Sequence, residues 1–138
     1  MVARSSVCQG EQIHISYGCG KDNDALLMYY GFVERNNPAQ RAMVSLTDAA
    51  DTAGQKQLRL GRSGPLGDER STVSTQQCRD ACQRALEALP TSLEHDAQLL
   101  ESQSPAGEST DDGVLPVRLR LALEWRLERK KLLAAFAR

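Results

Sequence analysis

Charge is sorted by position in the second half of this chain, and that sorting limits how the half can fold. From Glu87 to Asp112 there are Glu87, Glu94, Asp96, Glu101, Glu108, Asp111 and Asp112, with no Lys or Arg among them. From Pro116 onward the sign reverses: Arg118, Arg120, Arg126, Arg129, Lys130, Lys131 and Arg138 stand against Glu124 and Glu128 alone. If both stretches are helical, a hairpin lays the acidic helix beside the basic one. Each exposed pair would contribute only about 0.2–1 kcal/mol, so the pairing sets orientation more than stability.

The periodicity supports helices there. Cys78, Ala81, Cys82, Ala85, Leu86 and Leu89 form one apolar stripe and predict a helix over Thr75 to Leu89, ended by Pro90. Thr91-Ser92-Leu93-Glu94 reads as a capping box that opens a second helix running to about Ser102. Ser102 to Pro116 is rich in Ser, Gly and Asp and reads as a loop. Val117 to Ala137 is the third helix, favoured over a strand by its length and its Leu, Ala, Glu, Arg and Lys content. Its first half nevertheless alternates, at Val117, Leu119, Leu121, Leu123, Trp125 and Leu127.

The first half is different. Ile13, Ile15 and Tyr17 alternate with Gln12, His14 and Ser16, which predicts a half-buried strand over Gln12 to Tyr17. Gly18-Cys19-Gly20 stops it. Asp22 or Asn23 caps a short helix that ends at Gly31. Asn36-Asn37-Pro38 is a turn, and Ala42 to Thr47 forms a further short strand. Thr52 to Ser74, broken by five glycine and proline positions, reads as a linker with Gln57 to Leu60 extended. The fold class expected is α+β: a few short N-terminal strands, then a mainly helical region of about three helices.

Several chemistries lack their residues. Gly18-Cys19-Gly20-Lys21 falls short of a phosphate loop, because the second glycine of that motif stands five residues after the first and Ser or Thr follows the Lys. Cys8, Cys19, Cys78, Cys82, His14 and His95 are too scattered for a zinc site, so no metal is expected. A net charge of −1 argues against bulk nucleic-acid binding. No apolar run approaches the ~20 residues of a membrane helix, and the start lacks the apolar core of a secretory signal. A reducing compartment is expected (chloroplast, cytoplasm or nucleus), with the cysteines as free thiols.

Only 4% of the chain is aromatic, yet Tyr17, Tyr29 and Tyr30 hold every tyrosine within fourteen positions, and Phe32 follows. Two readings stand level on residues alone: a local packing core, or a functional surface.

Here a resemblance enters. GEQIHISYG followed by DNDALLMYYGFVERNNP resembles the C-terminal end of a SET domain. More narrowly it is similar to the plant Rubisco large-subunit lysine methyltransferase group. Gly10-Glu11-Gln12, Ser16-Tyr17-Gly18, Asn23, Leu26-Leu27, Tyr30-Gly31-Phe32 and Asn37-Pro38 carry the likeness. CRDACQRALEALPTSLEHDAQLL, with Pro90, Thr91, Ser92, Glu94 and Asp96, resembles the helical substrate-binding region of the same group, as does Val117 to Phe136. The resemblance implies methyl transfer from S-adenosylmethionine to a lysine of a protein substrate. Tyr17 would match the active-site tyrosine, and Tyr30, Gly31 and Phe32 a segment lining the cofactor and the lysine channel. It divides the chain into the end of a SET domain (1–48), a linker (49–74) and part of the substrate-binding region (75–138). No Asn-His pair occurs, and nine residues precede Gly10. The expectation is therefore the C-terminal portion of a methyltransferase, binding cofactor poorly and inactive by itself. The alternative is a non-catalytic helical protein-interaction module.

Overall fold

The computed structural model of the chain describes residues 6–13, 17–46, 56–67, 73–102 and 116–138. They form an α+β fold in the order α1 (Asn23–Tyr30), β1 (Arg41–Ser45), β2 (Gln57–Gly61), β3 (Gly64–Pro65), α2 (Thr75–Glu87), α3 (Leu93–Glu101) and α4 (Val117–Phe136). The three strands pair antiparallel in the order β1-β2-β3. Among the described residues no helix is long and apolar enough to cross a membrane.

The sheet follows from period-2 patterning. Ala42 and Val44 of β1 point inward and stand opposite Leu60 and Leu58 of β2, both fully buried. Gln57 to Leu60, expected to be an extended piece of a solvated linker, is thus part of the central strand. The neighbouring glycines mark its turn: Gly61 pairs with Gly64, whose φ of 119° suits a residue without Cβ. The described residues of Gln12 to Tyr17 differ from expectation in the opposite sense. Gln12, Ile13 and Tyr17 carry no strand, and Ile13 is 74% exposed. Alternation suits a strand only where a ladder partner exists, and the described sheet is completed by β1, β2 and β3. His14, Ile15 and Ser16 lie outside the described residues, as does nearly all of the expected Ser102–Pro116 loop.

The apolar stripe of α2 covers the sheet. Cys78, Ala81 and Cys82 are buried against Ala42, Val44, Leu58 and Leu60, and Leu132 and Leu133 of α4 close the cluster. Burial, with the neighbouring Cys78 thiol adding to it, pushes the Cys82 thiol up to about 12; burial also raises Cys78. The helix starts at a reciprocal cap, in which Gln77 N–H donates to Ser74 Oγ and Ser74 N–H to Gln77 Oε1.

Helix α4 lacks a single apolar face because it is packed on several sides. Leu132 and Leu133 meet the sheet and α2, while Arg126 and Lys130 face α3. Its first half carries the alternation noted in the sequence, yet it is helical throughout. The acidic-to-basic pairing of α3 and α4 is present, but its centre is buried rather than exposed. Asp96 is 0% and Lys130 1% exposed. Arg126 grips Asp96 with two hydrogen bonds, of 2.8 Å from Nε and 2.6 Å from Nη2. Lys130 Nζ donates to Asp96 Oδ2 at 2.6 Å and also reaches Thr91 O, Thr91 Oγ1 and Ser92 O. The helix cap differs from the expected box accordingly. Ser92 is the N-cap of α3, accepting from His95 N–H at 3.1 Å. Thr91 is freed for the charge cluster, where its hydroxyl donates to Asp96 Oδ1 at 2.8 Å.

Burial alone would raise the Asp96 carboxyl, but hydrogen bonds from Arg126, Lys130 and Thr91 outweigh it and hold the group at about 2, against an ordinary value of 3.8. A carboxylate depressed in the folded state adds stability above its unfolded value, and that stability drains away as pH falls through the folded value. Its size here is on the order of 2 kcal/mol. Denaturant unfolding is therefore expected to show a steep loss of stability from about pH 4 down to pH 2. Asp96→Asn is expected to be about 3 kcal/mol less stable at neutral pH, because it leaves Lys130 buried without its carboxylate partner. It is also expected to flatten that slope; parallel curves for the two proteins would assign the acid transition to other groups.

Candidate functional site

The residues singled out by the sequence lie at the two ends of α1 and in the turns beside it. Asp22 caps the helix, its Oδ1 accepting from Ala25 N–H at 3.0 Å. At the other end Gly31 takes φ 73° and its N–H bonds to Leu27 O, the left-handed exit that ends a helix. This reversal brings Phe32 back beside Tyr30. The Tyr17 ring completes the group: its centroid lies 4.6 Å from that of Tyr30 and 5.3 Å from that of Phe32, and Tyr30 and Phe32 are 6.5 Å apart. All three pairs are tilted, in the range where aromatic quadrupoles attract. The cluster is not interior, since Tyr17 and Tyr30 are each 43% exposed. Tyr29, adjacent in sequence, is turned out to solvent. Lys21 Nζ donates to Tyr17 O at 2.5 Å and stands 5.8 Å from the centre of the Tyr30 ring.

A polar lock, which the sequence reading took for a cap and a turn, holds the backbone beneath these rings. Asn23 is fully buried. Its Nδ2 donates to Glu34 O at 3.0 Å and its Oδ1 accepts from Glu34 N–H at 2.9 Å, so one side chain pairs with a backbone segment as a strand would. Gln40 Oε1 accepts from Asn23 N–H. Asn37 donates to Lys21 O and accepts from Ala39 N–H. Asn36 sits in the left-handed region at φ 56°, which Asn tolerates better than most residues. Asn23 and Asn37 are among the residues that carry the family resemblance, whereas nothing in the sequence pattern marks Gln40.

Helix α4 fastens this unit to the rest. Trp125 Nε1 donates to Asp24 Oδ1 at 2.6 Å. Arg35 pairs with Glu124 at 3.0 Å, and Asn36 N–H donates to the buried Glu128 at 2.8 Å. A groove of about 520 Å³ runs between α3, α4 and the Arg35 turn, lined among others by Leu100, Leu127, Glu124, Glu128 and Lys131. A smaller cavity of about 210 Å³ adjoins it across Glu128. Neither is lined by Tyr17, Tyr30 or Phe32. Among the described residues no group of three His, Cys, Asp or Glu side chains is placed to hold a metal ion.

The sequence profile of the family described as Rubisco LSMT substrate-binding matches residues 22–133. Among solved structures, Rubisco LSMT bound to sinefungin and monomethyllysine is similar, with a TM-score of 0.60 at 21% identity over 96% of this chain and 41% of that one. Rubisco LSMT bound to AdoMet gives 0.57 at 22% identity, over 96% and 41%. The SET domain of LSMT bound to lysine and AdoHcy gives 0.59 at 20% identity, over 95% and 40%. This likeness is one of fold, and the chain spans about 41% of the length of the first of these structures. Comparison with curated proteins gives no match.

Removing the Asn23 side chain strips partners from both the N–H and the C=O of Glu34. Asn23→Ala is expected to lower unfolding stability by about 2–4 kcal/mol. Amide exchange should rise at Glu34 and its neighbours while the α3–α4 contact stays protected; uniform loss of protection would mean that the lock is not local.

Proposed function

Because the chain belongs to the Rubisco LSMT substrate-binding family, we propose that it works as the C-terminal part of a SET-type protein-lysine N-methyltransferase. The methyl donor is S-adenosylmethionine and the acceptor a lysine of a protein substrate. Residues 1–48 then close the catalytic domain and 75–138 supply part of the substrate-binding lobe, with β2 of the intervening stretch joining them.

The observation that carries this proposal is the gathering of Tyr17, Tyr30 and Phe32 around the Gly31 reversal. These rings suit the group they are assigned to, since S-adenosylmethionine carries a sulfonium and the acceptor an ammonium, and aromatic faces attract both. A cationic nitrogen, that of Lys21, already stands near Tyr30. When bound, the donor supplies an electrophilic methyl group. The chain's own part is positioning. A lysine has a pKa of about 10.4 and attacks only as the neutral amine. Desolvation in a closed channel and the nearby sulfonium charge would favour that neutral form, and the Tyr17 hydroxyl is suited to orient the amine lone pair toward the methyl. The groove between α3 and α4, lined by both apolar and charged side chains, is assigned to the protein substrate. It also supports the second reading, a non-catalytic module that docks a protein partner through the same groove.

Since the chain covers 41% of the matched structure, its own turnover is expected to stay at background when it is mixed with labelled S-adenosylmethionine and a lysine-rich protein. Clear label transfer would overturn that expectation. Cofactor contact is read separately by thermal unfolding. At a ligand concentration near its Kd, Tm should rise by about 2 °C, and Phe32→Ala should remove the rise. No shift at any attainable concentration would favour the interaction-module reading.

A further inference from the structure

Lys21 is held in an unusual way for a lysine beside acidic neighbours. Asp22 caps α1 and Asp24 accepts from Trp125. Among the described residues no carboxylate forms a salt bridge with Lys21. Its side chain instead folds back over its own loop. The ammonium donates to Tyr17 O at 2.5 Å and lies 5.8 Å from the Tyr30 ring centre, inside the range of about 6 Å over which a ring attracts a cation. Gly18 makes room for this fold. It takes φ 94°, and a Cβ there would come within 3.2 Å of Nζ. The loop Tyr17-Gly18-Cys19-Gly20-Lys21 therefore returns a positive charge to the ring cluster that its first residue helps to build.

We propose that Lys21 is a tethered occupant of the Tyr17–Tyr30–Phe32 cluster, its ammonium standing where an incoming lysine or methyl-lysine ammonium binds, so that an external cation must displace it. The inference rests on the reading of that cluster as a cation site and adds its regulation. The hold is weak by construction. The loop is exposed, and the nitrogen is near the outer limit of ring attraction, so Lys21 lowers the affinity of the site without closing it. Displacement needs only rotation of the Lys21 side chain into solvent. Its carbonyl partner at Tyr17 is then left for the incoming ammonium.

The test uses the whole chain with tyrosine rings labelled for NMR, titrated with tetramethylammonium and, separately, with Nε-methylated lysine. In the wild type, the Lys21 ε-methylene protons should be shifted by the Tyr30 ring current and show cross-peaks to it. Lys21→Gln, which keeps a polar side chain but loses the charge, and Lys21→Ala should each bind either cation about threefold or more tightly than wild type. Tyr30→Leu in the wild-type background should abolish that shift and those cross-peaks. Equal or weaker binding by both Lys21 variants, with unchanged Tm, overturns the proposal, and so does absence of cation binding in every variant. Failure of S-adenosylmethionine to stabilise the chain would count against methyl transfer alone. Tighter cation binding by the Lys21 variants would still establish the tethered occupant.

Discussion

Everything in this fold is referred to the Asp96 carboxylate. It is one buried anion with two cations on it, Arg126 through two bonds and Lys130 through one, and a hydroxyl from Thr91. Removing such charges from water is costly, and the mutual attraction offsets that cost only with good geometry and with the remaining hydrogen-bonding capacity satisfied. Here it is satisfied: the described residues leave no buried side-chain polar atom without a partner. The consequence is registry. Asp96 lies in the first turn of α3, and Arg126 and Lys130 lie one turn apart on α4, so a sliding of either helix by a residue would strand a charge. Apolar contacts alone would tolerate that slip more easily.

With α4 fixed in this way, its other faces fix the remaining elements. The Leu132 and Leu133 side places it on the sheet and α2. Arg129 reaches Met43 O, covering the outer edge of β1, where an unpaired carbonyl row would otherwise invite another strand. Trp125, Glu124 and Glu128 hold α1 and the Arg35–Asn36 turn. The aromatic cluster lies at the far end of this chain of dependence, joined through the Asn23 lock.

How much of this could be read in the residues depends on which physical variable each pattern reports. Helix ends are local, and Pro90 and Gly31 announce them directly. Charge segregation reports the neighbours of α3 and α4, but sign carries no information on depth, so the pairing was legible and its burial was not. Thr91 and Ser92 can both cap a helix, Ser the better of the two, and the Thr91 hydroxyl goes to Asp96 instead. The β2 stretch shows a short alternation, Gln57 to Leu60, among glycines that serve its turn. Gln12 to Tyr17 shows a longer alternation and yet carries no strand where it is described. Alternation reports a preference for facing two environments, while a ladder requires a second chain segment at the right distance. That is a long-range fact. The three-ring cluster was legible as residues, and its openness to solvent was not.

The openness bears on the choice between packing and function that the residues alone leave level. The main core is built from Ala, Val, Leu and Cys side chains, with Phe136 at its margin. Aromatic burial is thus not how this chain gains stability. A ring placed for packing should be covered, because each is worth most when its whole surface leaves water. Tyr17 and Tyr30 keep nearly half of their surface in solvent while touching each other and Phe32. Mutual contact explains why they stay together but leaves unexplained why they stay exposed. The cation-accepting surface proposed above would account for both facts. The rings order one another, Tyr17 and Tyr30 stay part-exposed, and the nearby charge on Lys21 meets Tyr30 instead of the carboxylates beside it in sequence.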